Sequence, residues 1–306
     1  MLSIVIVSYN TRELLRQCLV SVQRHSPDSE IIVVDNASRD ESVAMVRNEF
    51  PSVRMVALDE NVGFACGNNA GLPYATGEFV LLLNSDTVIE DDSLRRCVEY
   101  LEQHPDVGGL SPRLLGADER WQQPSHPFPS LANELRLACR RDVAMPKQEG
   151  EMDGWLTGTA LFLRRTALDE IGGTLDAGCF MYWEDCDLSA RLRKRGWKLV
   201  VLADAHVRHY GGASGGGTDQ ARRSDLDAWY IYGQARWYMH HRPAVESVAL
   251  WFLQALDVVR MVVRSLRPDR KQDRVRAKTM AVALMRRVLG IVPPKPGSGR
   301  DGSVPR

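Results

Sequence analysis

The sequence predicts an α/β fold: a mostly parallel sheet flanked by helices. Over the first 110 residues, short runs rich in Val, Ile and Leu alternate with segments of helical period, the rhythm of βαβ units. The runs are apolar at every position, as in Phe79-Val80-Leu81-Leu82-Leu83, which marks strands covered on both faces. A third observation points to where function sits. That run delivers Asn84-Ser85-Asp86 at its C-terminal end, and ligands of open parallel sheets bind beyond that edge.

The elements follow in order. Ser3 to Ser8 reads as a strand, Thr11 to Arg24 as a helix and Glu30 to Asp35 as a second strand. Ser38-Arg39-Asp40-Glu41 has the form of a capping box opening a helix towards Phe50. Val53 to Leu58 is a third strand. Gly63-Phe64-Ala65-Cys66-Gly67-Asn68-Asn69-Ala70-Gly71 leads into another helix, and it lacks the Lys-Ser/Thr ending of a phosphate-cradling P-loop. Glu78 to Leu83 is the fourth strand, Asp91 to Gln103 helical, and Gly108 to Ser111 extended.

Residues 112–153 break the rhythm. Pro112, Pro124, Pro127, Pro129 and Pro146 punctuate them, predicting a surface insertion or flap. Thr159 to Arg164 then reads as strand and Thr166 to Ile171 as a short helix. Glu184 to Arg195 is an amphipathic helix stopped by Gly196, and Trp197 to Leu202 is a further strand. Residues 1–217 thus form one α/β domain. Residues 218–292 form a helical region, apolar from Val248 to Leu266 and from Met280 to Ile291 around the basic RPDRKQDRVRAK. Residues 293–306 read as a disordered tail.

The net charge of zero hides an asymmetry. Residues 211–306 carry 17 Lys and Arg against 8 Asp and Glu, leaving 22 against 31 in residues 1–210. The basic third fits two readings equally. One is contact through 248–291 with anionic lipid at the inner face of the cell membrane; the other is helices that cover the sheet or form a homodimer. Nucleic acid is not an expected partner, since the basic residues accompany apolar helices and no binding motif is present. Six cysteines without a C-x-x-C pair predict reduced thiols and a cytoplasmic location. The opening MLSIVIVSYN lacks the basic start of a signal peptide, and no run reaches the roughly 18 apolar residues of a membrane span.

Four polar clusters fall at strand ends: Asp35, Asp86, the pair Glu184-Asp185 behind Tyr182-Trp183, and His209. Each has an ordinary explanation. Asp35 and Asp86 suit turns, Glu184 and Asp185 suit the positive end of a helix, and His209 suits a hydrogen-bonded structural role. Their recurrence at one edge points instead to transfer of a group carried on a nucleoside diphosphate. Asp86 suits a divalent cation that neutralises the departing diphosphate, with a histidine nearby favouring manganese over calcium. Asp35 suits a base N–H or a ribose hydroxyl, and Asp185 suits a general base.

The motifs SIVIVSYN, VVDNASRDES, NVGFACGNNAG, LLLNSD, FMYWEDCDLSARLRKRGW and VRHYGGAS, in this order, resemble family 2 inverting glycosyltransferases of the GT-A fold. The resemblance covers about residues 2–215 and is nearest to a rhamnosyltransferase-like subgroup of bacterial cell-wall and O-antigen assembly. It implies a nucleotide pocket at Ser8, Tyr9, Asn10 and Asp35, and a donor sugar beside Gly63, Asn68 and Asn69. Asn84-Ser85-Asp86 takes the place of a DXD motif, with Asp86 and His209 on Mn2+ or Mg2+. Asp185 is implied as catalytic base with Glu184 beside it, and Tyr182 and Trp183 as acceptor contacts. One departure is Asn84, where the motif has Asp. The implied donor is dTDP-L-rhamnose and the implied acceptor a saccharide or lipid-linked saccharide. The alternatives are a UDP-sugar donor (galactofuranose, GlcNAc or glucose) and a non-catalytic nucleotide-sugar-binding scaffold.

Overall fold

The computed structural model describes residues 1–139, 142–143, 145, 149–211, 220–265, 281–282, 284 and 292–293. Its strands are β1 (Leu2–Ser8), β2 (Glu30–Asp35), β3 (Arg54–Ala57), β4 (Phe79–Asn84), β5 (Thr87–Val88), β6 (Val107–Gly116), β7 (Trp121–Gln122), β8 (Ser125–His126), β9 (Gly150–Glu151), β10 (Trp155–Leu156), β11 (Ala160–Arg164) and β12 (Lys198–His209). Its helices are α1 (Arg12–His25), α2 (Ser42–Glu49), α3 (Phe64–Gly71), α4 (Ser93–Gln103), α5 (Leu131–Ala138), α6 (Arg165–Glu170), α7 (Glu184–Lys194), α8 (Gln220–His241) and α9 (Ala244–Ser265). The chain divides into two compact units, Met1–Phe128 with Ala144–Ala177 and Glu184–Ser214, and Pro129–Val143 with Gly178–Trp183 and Gly215–Arg306. Residues 129–143 and 178–183 therefore group with the C-terminal helices.

The first unit holds a ten-stranded sheet in the order β3-β2-β1-β4-β11-β6-β12-β5, with β7 beside β6 and β9 beside β12. β3, β2, β1 and β4 run parallel, as do β6 and β12, while β11 runs antiparallel between β4 and β6. Side chains alternate across this sheet with period two. Ile4, Ile6, Val33, Leu81 and Leu83 join one core with Leu15 and Leu19 of α1 and Leu94 of α4. Val5, Ile32, Val34, Val80 and Leu82 join the other, with Ala65 of α3 and Leu188 and Leu192 of α7. Both faces are covered, so the strands have no polar alternation to show. The glycines of α3 let it lie close: a Cβ on Gly67 or Gly71 would stand 2.8 or 2.6 Å from Val7 Cγ1 or Val5 Cγ1.

Two local expectations are corrected. The helix after β2 begins at Ser42, not at the capping box: Ser38 Oγ accepts the Asn10 N–H instead, and Asp40 Oδ1 accepts from the Ser42 N–H and hydroxyl. The stretch from Pro112 does not leave the sheet at once, because β6 runs through it to Gly116. A central strand tolerates this proline because the ladder is already interrupted there. β12 shifts register between Leu202 and His206 opposite it, and the pairing of β6 to β11 ends at Leu110.

In the second unit α8 and α9 form a helical pair joined by α5. Gln234 donates to Glu134 at 3.0 Å and accepts from Gln254 at 2.8 Å, tying the three helices together. Phe180 lies 5.4 Å from Trp229, and Trp183 lies 5.3 Å from Tyr230. The RPDRKQDRVRAK stretch, the junction 212–219, most of Met280 to Ile291 and the tail beyond 293 lie outside the described residues.

Candidate active site

Strand register assembles the site. Ser8 pairs with Asp35 and Val7 with Asn84, so β1, β2 and β4 end together. Asn84 N–H donates to Thr159 O at 2.9 Å, which brings the turn before β11 to the same edge. The next residue back, Gly158, donates its N–H to Asp185 Oδ2 at 3.0 Å. On the far side of Asn84, β5 pairs antiparallel with β12, Thr87 opposite His209, and Tyr210 N–H donates to Asp86 O at 3.0 Å. Strand pairing and these hydrogen bonds thus bring Asp35, Asp86, Asp185 and His209 to one rim.

Asp86 is buried, and its Oδ1 lies 3.3 Å from His209 Nε2. His209 Nδ1 is 2.7 Å from Gln122 Oε1, while Gln122 Nε2 donates to His209 O at 3.1 Å. An imidazole nitrogen and a carboxylate oxygen, both with lone pairs, need a proton or a cation between them. Adjacent ligands of a six-coordinate ion with bonds near 2.1 Å lie about 3 Å apart, so the pair fits a small divalent ion. Among the described residues no further carboxylate, imidazole or thiol completes a three-ligand cluster with them. The remaining positions would fall to water and phosphate oxygens.

Asp35 is buried at the end of β2. Its Oδ2 accepts the Ser38 N–H at 2.8 Å, and its Oδ1 is buried without a partner among the described residues. Such an oxygen costs about 1–3 kcal/mol unless a donor reaches it. The neighbouring loops are fixed around it. Asn10 takes a positive φ of 53°, and its Oδ1 accepts the Arg39 N–H at 2.8 Å. Tyr9 is half-buried. Ser8 and Ser85 are buried, and both hydroxyls bond to Thr11 Oγ1 at 2.9 Å, closing a chain that joins β1 to the end of β4.

The Gly63 segment is braced by a residue the sequence reading passed over. Asn36 accepts the Val62 N–H at 2.8 Å and donates to Gly63 O at 3.1 Å. Gly63 itself has φ 87°, a conformation open to glycine. Asn68 is buried and donates to Phe64 O at 3.0 Å. Asn69 spends its amide on the Leu175 backbone, donating to O at 2.9 Å and accepting from N–H at 2.8 Å.

Glu184 and Asp185 open α7. Asp185 is partly buried and accepts two N–H bonds, from Gly158 and from Cys186 at 2.8 Å. Burial outweighs them and pushes its pKa up to about 6. Glu184 is 5% exposed, its Oε2 has no partner among the described residues, and burial together with the Asp185 charge raises its pKa well above the ordinary range. Just before them Tyr182 and Trp183 both take positive φ, 71° and 76°. Bulky side chains rarely do so, and each costs about 1–3 kcal/mol. Trp183 is buried among Tyr230, Trp237 and Gly233, while Tyr182 is exposed.

Gln122 and Gly158 were also missed. Gly158 had a weak signal, a glycine just before a strand. Gln122 had none, lying in the stretch expected to be a flap.

Residues 3–172 match the family Glycosyl transferase family 2, and the chain belongs to it. It is a GT-A-type inverting glycosyltransferase, moving a sugar from a nucleoside-diphosphate sugar to an acceptor. It is 28% identical over 237 residues to an N-acetylglucosaminyl-diphospho-decaprenol L-rhamnosyltransferase of Mycobacterium tuberculosis, covering 68% of this chain and 76% of that one. A poly-beta-1,6-N-acetyl-D-glucosamine synthase of Staphylococcus epidermidis is 30% identical over 210 residues, 66% of this chain and 46% of that one. The solved mannosyltransferase PcManGT of Pyrobaculum calidifontis, in complex with GDP-Man and Mn2+, superposes with a TM-score of 0.53 at 16% identity, covering 94% of this chain and 87% of that one. That likeness shows the fold.

Proposed function

We propose that the chain transfers a sugar by a single displacement, with Asp185 as general base and Asp86 with His209 holding Mn2+ or Mg2+. The observation that carries this is the 3.3 Å approach of Asp86 Oδ1 and His209 Nε2 at the rim where Asp185 also sits. When bound, the cation offsets the charge of the leaving diphosphate. Asp185 takes the proton of the attacking acceptor hydroxyl, and a pKa near 6 leaves it ionised yet basic at neutral pH. Glu184, held neutral by burial, leaves the negative charge of the pair on Asp185. Asp35 Oδ1 accepts from the base or ribose, with Ser8, Tyr9, Asn10 and Ser85 shaping that pocket. Asn84, Gly63, Asn68 and Asn69 border the donor sugar, and Tyr182 and Trp183 the acceptor.

The donor has two readings. A GlcNAc donor, one of the UDP-sugars weighed above, is favoured by the synthase of an N-acetyl-D-glucosamine polymer, which is 30% identical. An L-rhamnose donor, carried on dTDP in the first reading, is favoured by the rhamnosyltransferase, 28% identical over a longer span. The name of the latter also supports a diphospho-lipid acceptor. Thermal shift against UDP, dTDP, GDP and their sugars, with and without Mn2+, tests the whole proposal. Stabilisation by one nucleotide only with cation supports it; a cooperative melt that no nucleotide moves, with no donor turnover, sinks it in favour of a scaffold.

A lipid-linked acceptor fits one feature of the second unit. Val245, Val248, Phe252, Leu256, Val259 and Val263 are exposed along one face of α9, spaced by three and four residues. RPDRKQDRVRAK follows in sequence and supplies the opposite charge to an anionic bilayer surface. Among the described residues no helix is long and apolar enough to cross a membrane. We therefore assign this face to peripheral contact with anionic lipid. Salt-sensitive sedimentation with anionic vesicles is the test; dimerisation without vesicle binding would assign it to a second copy.

A further inference from the structure

We propose that Gln122 is a positioning residue for cation binding, fixing His209 as its Nδ1–H tautomer so that Nε2 presents a lone pair beside Asp86. The inference rests on the cation site proposed above.

The tautomer follows by elimination. A backbone carbonyl can only accept, so the Gln122 group that meets His209 O at 3.1 Å is the amide NH2. The amide oxygen must then be the atom 2.7 Å from His209 Nδ1, and an oxygen acceptor requires the hydrogen on that nitrogen. In the neutral ring the lone pair is left on Nε2, the atom that faces Asp86 Oδ1. One side chain therefore grips both the ring and the backbone of His209.

Gln122 is itself held for this task. It pairs with Leu114 across the β6–β7 hairpin, whose turn is closed by Gly116 N–H donating to Arg120 O at 2.8 Å. Arg208, the residue before His209, reaches back to that turn. It donates to Glu119 Oε1 at 2.7 Å and to Gly116 O at 3.4 Å, with a second ion pair to Glu90 at 2.6 Å. β6 also pairs directly with β12, Gly116 opposite His209. These bonds tie the hairpin to the strand carrying the ligand and hold Gln122 against the ring. Outer partners that orient a ligating imidazole typically contribute 10- to 100-fold to metal affinity.

The test begins without metal. Long-range 1H–15N correlation of the His209 ring should show the Nδ1–H form in the unmodified protein. An Nε2–H ring there overturns the proposal whatever the variants do. Gln122→Met should release the ring towards the Nε2–H form and weaken Mn2+ binding in the presence of UDP or dTDP, followed by electron paramagnetic resonance, by about 10- to 100-fold. Gln122→Glu keeps an acceptor opposite Nδ1, so it should retain the tautomer and most of the affinity. Unchanged tautomer and affinity in Gln122→Met refute the role of Gln122. His209→Ala separates the two levels. If it binds Mn2+ like the unmodified protein, the cation site itself is misassigned; if it binds weakly while Gln122→Met does not, only the present inference fails.

Discussion

Asp185→Asn separates charge from shape at the proposed base, and it should raise stability while removing activity. The carboxyl keeps a pKa of about 6 against an ordinary 3.8, because burial exceeds the gain from its two N–H bonds. A folded-state value above the unfolded one means that the folded protein binds this proton more tightly. Its contribution to stability is therefore complete below about pH 4, fades as pH rises through about 6, and is gone above. At 1.36 kcal/mol per unit, the ionised carboxylate costs the fold about 3 kcal/mol near pH 8. The Asn variant does not carry that charge, and it also relieves the repulsion on Glu184. Against this, its single oxygen satisfies one of the two N–H donors, a loss of about 1 kcal/mol. The net gain is about 1–2 kcal/mol near pH 8, or roughly 2–6 °C in Tm, and it should vanish near pH 4. Turnover should fall about 10²- to 10⁴-fold, and in the unmodified enzyme kcat/KM should rise with pH up to about 6 and then level. The assays are melting curves across that pH range and release of nucleoside diphosphate. A variant that melts lower near pH 8, or one that retains full turnover, would refute the reasoning.

Three further outcomes follow from the same geometry. Gly158→Ala places a Cβ 3.2 Å from Phe64 Cε1 and 3.7 Å from Asp185 Cβ. Moving that turn should lower kcat about tenfold with the nucleotide Kd unchanged, a split that steady-state kinetics and calorimetry resolve. Asn69→Leu strips both bonds from the Leu175 backbone and should lower stability by about 1–3 kcal/mol in denaturant titration. Unchanged stability would refute the bracing role, and weaker donor binding beside the stability loss is the outcome expected if Asn69 also borders the sugar. Phe252→Glu puts a charge in the middle of the exposed α9 face and should reduce sedimentation with anionic vesicles several-fold without changing turnover on a soluble acceptor.

The strands and their polar ends were legible because each signal is local. IIVVD and FVLLLN are continuous apolar runs, and both became strands within a residue of expectation, with Asp35 and Asp86 at their ends. Local patterns give way where they meet a tertiary competitor. Ser38 has the spacing of a helix cap, but Asn10 from the neighbouring loop claims its hydroxyl, and Asp40 takes over the start of α2. Proline marked residues 112–153 as an insertion, yet the adjacent bulge in β12 leaves room for Pro112 within β6. Gln122 was invisible for the same reason: its partner His209 lies 87 residues away, and a glutamine next to a tryptophan carries no pattern. The boundary of the helical unit is likewise tertiary. Phe180 and Trp183 group with α8 through aromatic contacts that no spacing encodes.

The rim also explains why an amide can stand at position 84. Asp35, Asp86, Glu184 and Asp185 have no Lys or Arg partner among the described residues, and the one ion pair they make is that of Asp86 with His209. Residues 1–210 are acidic as a whole, with 31 Asp and Glu against 22 Lys and Arg. A nucleoside diphosphate brought to this edge meets repulsion of about 4 kcal/mol for each pair of charges 4 Å apart at an effective dielectric of 20. A carboxylate at Asn84 would add to that repulsion before any cation arrived. With an amide there, the empty site repels the donor less, at the expense of a weaker grip on the free ion. On the cation site proposed above, cation and diphosphate would bind best together, each supplying the charge the other lacks, with Asp86 and His209 completing a shell that the phosphates begin.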